Sequence, residues 1–138
     1  MTIQTLTFVP SDQRCPFFPI PVAAGAPQPA EHHAEWINID EYLRHGSDAV
    51  AYIKVSGDSM IGDGISDGDI LVVHRRPDAC TGDVVIAEIN GEFTVKRLRT
   101  NHRGLYLVPS NDQYPECEIR REDTFAVWGI VKFVIHRF

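Results

Sequence analysis

Apolar residues from position 49 onward cluster in short runs that predict β-strands. These runs are rich in valine, isoleucine, leucine and aromatic residues, and glycine, aspartate, asparagine or proline separates them. They lie at residues 52–55, 70–73, 84–87, 92–98, 105–108 and 125–135. Because no helical segment intervenes, neighbouring strands are expected to pair antiparallel. We therefore predict a mainly β protein, a curved and mostly antiparallel β-domain.

One dipeptide, Asn90-Gly91, gives the strongest local signal in this pattern. It stands between the apolar runs at 84–87 and 92–98. The tight turns that join paired strands need positive φ at both central positions, which asparagine and glycine tolerate. The dipeptide therefore predicts a hairpin that sets residues 92–98 against residues 84–87.

Residues 1–36 differ from the rest, because six of the nine prolines fall there. Proline fixes φ and removes a backbone donor, so we expect an extended N-terminal arm with little regular structure. Phe8, Phe17, Phe18 and Ile20 make this arm too apolar for a plain linker, and we expect it to dock on a surface.

A short helix is predicted directly after the arm. Asn38 can serve as its N-cap, Glu41 follows three positions later, and Gly46 can end it. We therefore divide the chain into the arm, residues 1–36, and a β-rich domain, residues 37–138.

Composition narrows the classes of function. Of the 138 residues, 43% are hydrophobic, enough for a packed core, and the net charge is −6. The acidic charge argues against direct binding of duplex DNA, and we interpret the basic run at 96–99 as a solvated strand edge. Three cysteines without CxxC spacing suit a reducing cytoplasm. The longest apolar stretch, 125–135, is too short to span a bilayer, so no membrane association is expected.

Ser59 is a candidate nucleophile, because it lies in a turn directly after an apolar strand. Gly57 permits a tight backbone path, and the N–H groups of Asp58 and Ser59 could point at one oxyanion. A plain turn is the alternative. The nucleophile elbow of α/β-hydrolases does not fit, because Ile61 stands where that pattern needs its second glycine.

Lys96 is the candidate general base. It lies in the strand behind the predicted hairpin, a rigid position. A free lysine has a pKa of about 10.4, and a lysine base needs a pKa of about 7–8. Burial among apolar groups lowers the pKa in this way. A surface lysine is the alternative, and a Ser-His-Asp triad with His74 or His102 stays open.

We expect neither a metal nor a cofactor. His32 and His33 lack a third ligand at useful spacing, and the carboxylates in residues 63–69 do not follow the EF-hand pattern, so turns are the better interpretation there. Cys80 has no context that would make it a nucleophile.

Residues 22–25, Val-Ala-Ala-Gly, are a candidate substrate. Ala23, Ala24 and Gly25 are small, and a backbone that must approach a nucleophile closely needs small residues. Pro21 and Pro27 stiffen the flanks. A plain linker is the alternative.

Together, residues 56–60, 64–69 and 91–96 resemble the signature of the LexA/UmuD family of self-cleaving Ser-Lys proteins. Residues 22–25 are similar to the Ala-Gly or Cys-Gly cleavage site of that family. The resemblance implies that Ser59 is the nucleophile, Lys96 the general base and Ala24–Gly25 the bond that is cut. One departure is Ala24, where UmuD-like proteins often have cysteine.

The resemblance also implies a biological setting. The family forms homodimers, and its cleavage is stimulated by the RecA–single-stranded DNA filament in the SOS response. The chain length and the lack of a helix-turn-helix favour a UmuD-like protein, whose trimmed form serves a UmuC-like Y-family polymerase in error-prone translesion synthesis. One alternative is a non-catalytic β-domain that only binds a polymerase or another protein. Another is a relative of signal peptidase, which would need a membrane anchor.

Overall fold

The computed structural model describes residues 12–30 and 33–138, which fall into two units. Of the described residues, 12–30 and 33–46 form the N-terminal unit, and Ser47–Phe138 form the C-terminal unit. The predictions for Phe8 and His32 lie outside the described residues. Within the described part of the chain, no helix has the length and apolarity that crossing a membrane requires.

The N-terminal unit contains strand β1 (Cys15–Phe17), strand β2 (Glu35–Ile37) and helix α1 (Ile39–Arg44). The two strands pair antiparallel with each other. The predicted N-cap is confirmed, because Asn38 Oδ1 accepts a hydrogen bond from the Glu41 N–H at 3.2 Å. The arm holds more regular structure than predicted, since a two-stranded pair has only edge strands and therefore tolerates Pro16.

The C-terminal unit contains one seven-stranded sheet. Its strands are β3 (Val50–Lys54), β4 (Ile70–His74), β5 (Val84–Ile89), β6 (Glu92–Asn101), β7 (Gly104–Val108), β8 (Cys117–Ile119) and β9 (Phe125–Ile135). They lie in the order β3-β4-β9-β5-β6-β7-β8, and every neighbouring pair is antiparallel. The prediction of a mainly β, mostly antiparallel fold is confirmed.

The sheet is buried on both of its faces near β5. Alternate residues of a strand point to opposite faces, and Ile86 packs in one hydrophobic cluster while Val85 and Ala87 pack in another. The first cluster also includes Val55 and Met60, which flank the predicted nucleophile. The turn that carries Ser59 is therefore anchored in the core at both ends.

The predicted hairpin is confirmed, whereas the basic run does not lie at a sheet edge. Asn90 and Gly91 both have positive φ, 49° and 80°, and they join β5 to β6. Strand β6 lies inside the sheet, because β7 and β8 extend the sheet beyond it. On β6, Arg97 forms an ion pair with Asp63, and Arg99 forms one with Glu116.

Candidate active site

Ser59 lies in a short turn between β3 and β4. The turn occupies residues 56–60 and leads into a 3-10 helix at Ile61–Asp63. The next side chain, Met60, is 1% exposed and fixes the turn to the core. Gly57 has φ of 97°, a conformation that other residues adopt only with strain. The glycine thus allows the reversal that brings Ser59 over the sheet.

The acidic stretch at residues 67–69 braces the start of this turn. The Gly57 N–H donates to Asp67 Oδ1 at 2.8 Å, and the Gly68 N–H donates to the Val55 carbonyl at 2.9 Å. The Val55 N–H donates to the carbonyl of Asp69 at 2.8 Å. The aspartates that the sequence assigns to turns therefore hold the backbone on either side of Ser56.

Lys96 lies on β6, and its Nζ contacts Ser59 directly. The distance from Lys96 Nζ to Ser59 Oγ is 2.8 Å. The same nitrogen lies 2.9 Å from Thr94 Oγ1 and 3.0 Å from the Val95 carbonyl oxygen. Thr94 precedes Lys96 by two positions, so both side chains leave the strand on the same face. The structure thus brings together the predicted nucleophile and the predicted base.

The Ser59–Lys96 pair lines a cleft of about 250 Å³, whose walls combine six apolar side chains with Lys54, Ser56 and Thr94. The apolar side chains of the lining belong to β3 and its end, β4, β5 and β6, and they are Ile53, Val55, Leu71, Ile86, Phe93 and Val95. Burial lowers the pKa of Lys96, and the opposing electrostatic effect of Cys117 is smaller. This is the direction that a lysine base requires.

Two predicted oxyanion donors lie beside this pair. Within residues 12–30 and 33–138, the N–H groups of Asp58 and Ser59 donate to no protein acceptor. The carbonyl of Asp58 accepts from the Ile61 N–H at 3.2 Å, and the carbonyl of Ser59 accepts from the Ser110 N–H at 2.8 Å. The turn therefore has its carbonyls engaged and two donors available.

Three residues for which the sequence contains no motif also contact the turn. Ser110, Asn111 and Tyr114 lie in the loop between β7 and β8 and form hydrogen bonds with Asp58 or Ser59. The only signal in the sequence is a polar segment directly after an apolar strand, which also describes an ordinary surface loop. Their proximity depends on the strand order, which places β6 and β7 in one sheet with the strands that flank the turn.

The two histidines considered for a triad lie elsewhere in the C-terminal unit. His74 is buried at the end of β4, where it pairs with Val50 and Ile130. His102 is exposed in the turn between β6 and β7. Among the described residues, the hydrogen-bond partner of Ser59 Oγ is Lys96, not a histidine. The geometry therefore favours a Ser-Lys pair.

Ala24 and Gly25, the predicted cleavage site, belong to the N-terminal unit. Both are exposed and lie in a bend at residues 24–26, outside any strand. A Cβ added at Gly25 would meet no atom within 4 Å. An exposed, irregular backbone of this kind suits a peptide bond that must be cut.

Fold and site together define a β-domain with a serine–lysine pair in a cleft, and several known proteins are similar to this chain in sequence. Residues 16–132 match the Peptidase S24-like family. Protein ImpA of Salmonella typhimurium is 40% identical over 123 residues, which cover 88% of this chain and 83% of ImpA. Protein MucA of Salmonella typhimurium is 40% identical over 119 residues, 84% of this chain and 80% of MucA. LexA repressor 2 of Pseudomonas syringae is 44% identical over 87 residues, 62% of this chain and 42% of the repressor.

The chain therefore belongs to the Peptidase S24-like family. The resemblance to LexA- and UmuD-like proteins that its motifs indicate is confirmed.

Proposed function

We propose that this protein is a serine peptidase that cuts its own Ala24–Gly25 bond with Ser59 as nucleophile and Lys96 as general base. The observation that carries the proposal is the 2.8 Å contact between Lys96 Nζ and Ser59 Oγ in an apolar cleft. A serine hydroxyl becomes a useful nucleophile when an adjacent base takes its proton. The lowered pKa of Lys96 supplies such a base.

Acylation is the first half of the reaction. The Ser59 Oγ attacks the carbonyl carbon of Ala24 while its proton passes to Lys96 Nζ. The negative charge that develops on the Ala24 carbonyl oxygen is stabilised by the N–H groups of Asp58 and Ser59. Lys96 then gives the proton to the nitrogen of Gly25, the C–N bond breaks, and an ester joins Ala24 to Ser59.

Deacylation returns the serine to its starting state. Lys96 Nζ, neutral again, takes a proton from a water molecule that attacks the ester carbonyl. The ester bond breaks, Lys96 returns the proton to Ser59 Oγ, and the chain is left as residues 1–24 and 25–138. The cleft walls favour this cycle, because apolar surroundings keep the amine neutral between the two proton transfers.

The wider role of the protein rests on the family resemblance. In this proposal the chain forms a homodimer, and the RecA–single-stranded DNA filament stimulates its cleavage in the cytoplasm during the SOS response. Residues 1–36 act as the arm that carries the cleavage site, and residues 37–138 as the catalytic domain. The trimmed form then serves as accessory subunit of an error-prone, UmuC-like translesion polymerase. The relatives ImpA and MucA, similar over more than four-fifths of this chain, support this assignment.

The direct test is incubation of the purified chain at mildly alkaline pH, with and without a RecA filament, followed by mass spectrometry. We expect a single break between Ala24 and Gly25, faster with the filament. Ser59→Ala should stay intact, whereas Ser66→Ala, which removes a hydroxyl without a hydrogen-bond partner among the described residues, should cleave normally. An intact wild-type chain in both tubes would favour the non-catalytic binding module.

The cleavage site has its own test in Gly25→Glu. A glutamate side chain next to the scissile bond adds bulk and charge where an apolar cleft must accept the backbone, so we expect cleavage to stop. Ala30→Glu adds the same charge to an exposed position of the same unit and should leave cleavage unchanged. Continued cutting of Gly25→Glu into fragments other than residues 1–24 and 25–138 would place the scissile bond elsewhere.

A further inference from the structure

The loop between β7 and β8, residues 109–116, holds the turn that carries Ser59. Asn111 Nδ2 donates to the Asp58 carbonyl oxygen at 3.0 Å. The Ser110 N–H donates to the Ser59 carbonyl oxygen at 2.8 Å. Tyr114 donates its hydroxyl proton to Asp58 Oδ1. Two consecutive carbonyls and one carboxylate of the turn are thus held by the same loop.

The loop is itself fixed against the turn. The Gly62 N–H donates to the Ser110 carbonyl at 2.7 Å, and a Cβ at Gly62 would lie 2.5 Å from Ser110 Oγ. Asn111 Oδ1 accepts from the Gln113 N–H at 3.0 Å. Because its oxygen is occupied in this way, the amide of Asn111 presents its nitrogen to Asp58.

The Asp58 carbonyl accepts from the Ile61 N–H at 3.2 Å and from Asn111 Nδ2 at 3.0 Å, and its direction determines where the next N–H points. In a trans peptide the C=O and the N–H of one unit point in opposite directions, and no cis peptide bond occurs in the described residues. The Asp58 carbonyl and the Ser59 N–H belong to one peptide unit. With its carbonyl directed at Asn111, this unit turns the Ser59 N–H away from the loop, and that N–H has no protein acceptor among the described residues.

We propose that Asn111 is a positioning residue, which orients the Ser59 N–H as an oxyanion donor before the substrate bond arrives. This inference rests on the proposed function, since an oxyanion exists only if Ser59 attacks a carbonyl. Donors of this kind are effective because their direction is set in advance, so that no reorganisation is needed in the transition state. Asn111 and Lys96 form no hydrogen bond with each other in residues 12–30 and 33–138, so the role of Asn111 is separate from proton transfer.

The proposal is tested with Asn111→Ser, which removes the amide donor without adding charge. A serine hydroxyl can still accept from the Gln113 N–H, so the local loop turn is retained. The control is Asn101→Ser, because Asn101 Oδ1 accepts from the Arg103 N–H at 2.8 Å in the same kind of turn, in the hairpin between β6 and β7. The rate of self-cleavage is measured from pH 6 to 11 for both variants and the wild type.

We expect Asn111→Ser to lower the rate about tenfold to a hundredfold at every pH, somewhat less than the loss of an oxyanion donor itself. The pH at which the rate is half-maximal should stay at the wild-type value, because that value reports Lys96. Phosphonylation of Ser59 by a small fluorophosphonate should slow in parallel, since its P=O oxygen uses the same donors. Asn101→Ser should match the wild type in both assays.

Three results would overturn the role of Asn111. One is a cleavage rate equal to that of the wild type, and another is a shifted pH midpoint, which would mean that the lysine environment had changed. The third is a loss of rate that merely follows a lower unfolding temperature. If Asn111→Ser does not fold, Asn111→Thr repeats the test, because it also keeps a hydroxyl for the Gln113 N–H and adds no charge. A wild-type chain that neither cuts itself nor labels at Ser59 would instead reject the proposed function, and this role with it.

Discussion

The two residues of the candidate site, Ser59 and Lys96, are held in different ways. Lys96 lies within β6, where it pairs with Val85 in the regular ladder of the sheet. Ser59 lies in a turn that belongs to no strand, and side chains and backbone groups from residues 67–69 and 110–114 hold it. The position of the base is thus secured by secondary structure, and the position of the nucleophile by individual contacts. A substitution at Lys96 should therefore change the proton transfer, whereas substitutions around the turn should change the position of Ser59.

Replacing the base should have the largest effect. Lys96→Met keeps an unbranched apolar side chain in the cleft and removes the amine 2.8 Å from Ser59 Oγ that takes the serine proton in the proposed mechanism. We expect self-cleavage to fall to background at every pH while the far-ultraviolet circular dichroism spectrum stays unchanged. Lys132→Met alters an exposed lysine on β9 and should cleave normally. Cleavage of Lys96→Met with the pH profile of the wild type would exclude the lysine as base.

The pH dependence of the cleavage rate and of the free energy of unfolding tests the lowered pKa of Lys96. Because burial lowers its pKa, the neutral amine forms at a lower pH than in a free lysine, and the cleavage rate should rise about tenfold per pH unit until that pKa is passed.

The unfolded chain holds the proton of Lys96 more tightly than the folded chain does. The free energy of unfolding of the wild type should therefore rise relative to Lys96→Met between the lowered pKa and about 10.5. Chemical denaturation at several pH values measures this difference, and a constant difference would contradict the burial of the amine.

Gly62→Ala tests whether the loop at 109–116 holds Ser59 in position. The added Cβ would lie 2.5 Å from Ser110 Oγ and 2.7 Å from the Ser110 carbonyl oxygen, so the loop at 109–116 must move away from the turn. We expect a loss of about 1–3 kcal/mol in the free energy of unfolding, as is typical of overpacking. Cleavage should slow by at least tenfold, measured under conditions where the variant remains folded. Gly25→Ala, where a Cβ meets no neighbour, is the control for stability. If Gly62→Ala kept the stability and cleavage rate of the wild type, the loop would not restrain Ser59.

Asp67→Ala should have a smaller effect on the same turn. It removes the carboxylate that accepts from the Gly57 N–H at 2.8 Å, but that N–H is exposed and can turn to water. A hydrogen bond of this kind contributes about 0.5–1.5 kcal/mol, and we expect a loss of that size together with a severalfold slower cleavage. Asp48→Ala removes an exposed carboxylate without a hydrogen bond to any described residue and serves as control. Equal behaviour of the two variants would argue against a bracing role for Asp67.

Tyr114→Phe should give the smallest effect. It removes the hydroxyl that donates to the Asp58 carboxylate and leaves the contacts of Asn111 and Ser110 in place. The hydrogen bond to Asp58 raises the pKa of Tyr114, so any advantage in stability of the wild type should be present below pH 10 and be lost as the pH rises through that raised value. Thermal unfolding at pH 8 and pH 11 checks the sign, with Tyr106→Phe as control, since the hydroxyl of Tyr106 has no acceptor among the described residues. A difference that grew with pH would contradict the hydrogen bond.

The sequence predicts the parts of this molecule that local patterns determine. The hairpin at Asn90-Gly91, the long last strand at Phe125–Ile135 and the N-cap at Asn38 all follow from short-range signals, and the structure contains each of them. The short strands β1, β2 and β8 have three residues each, too few for an apolar alternation, and their formation depends on partners that are distant in the sequence. Ser59 and Lys96 could be named from the sequence, because each stands in a recognisable local motif. Asn111 could not, because its contact with the turn depends on elements that are distant in the sequence.

The three neighbours of Lys96 Nζ have a consequence for the proton transfers. An ammonium group has three N–H bonds and can donate to Ser59 Oγ, Thr94 Oγ1 and the Val95 carbonyl at once. A neutral amine has two N–H bonds and one lone pair, so it can donate to Thr94 and Val95 and accept the hydroxyl proton of Ser59 from the same position. Both protonation states therefore fit one arrangement of heavy atoms. The proton can move in either direction without a change of rotamer, which suits the proposed role of Lys96 as base and then as acid within a single turnover.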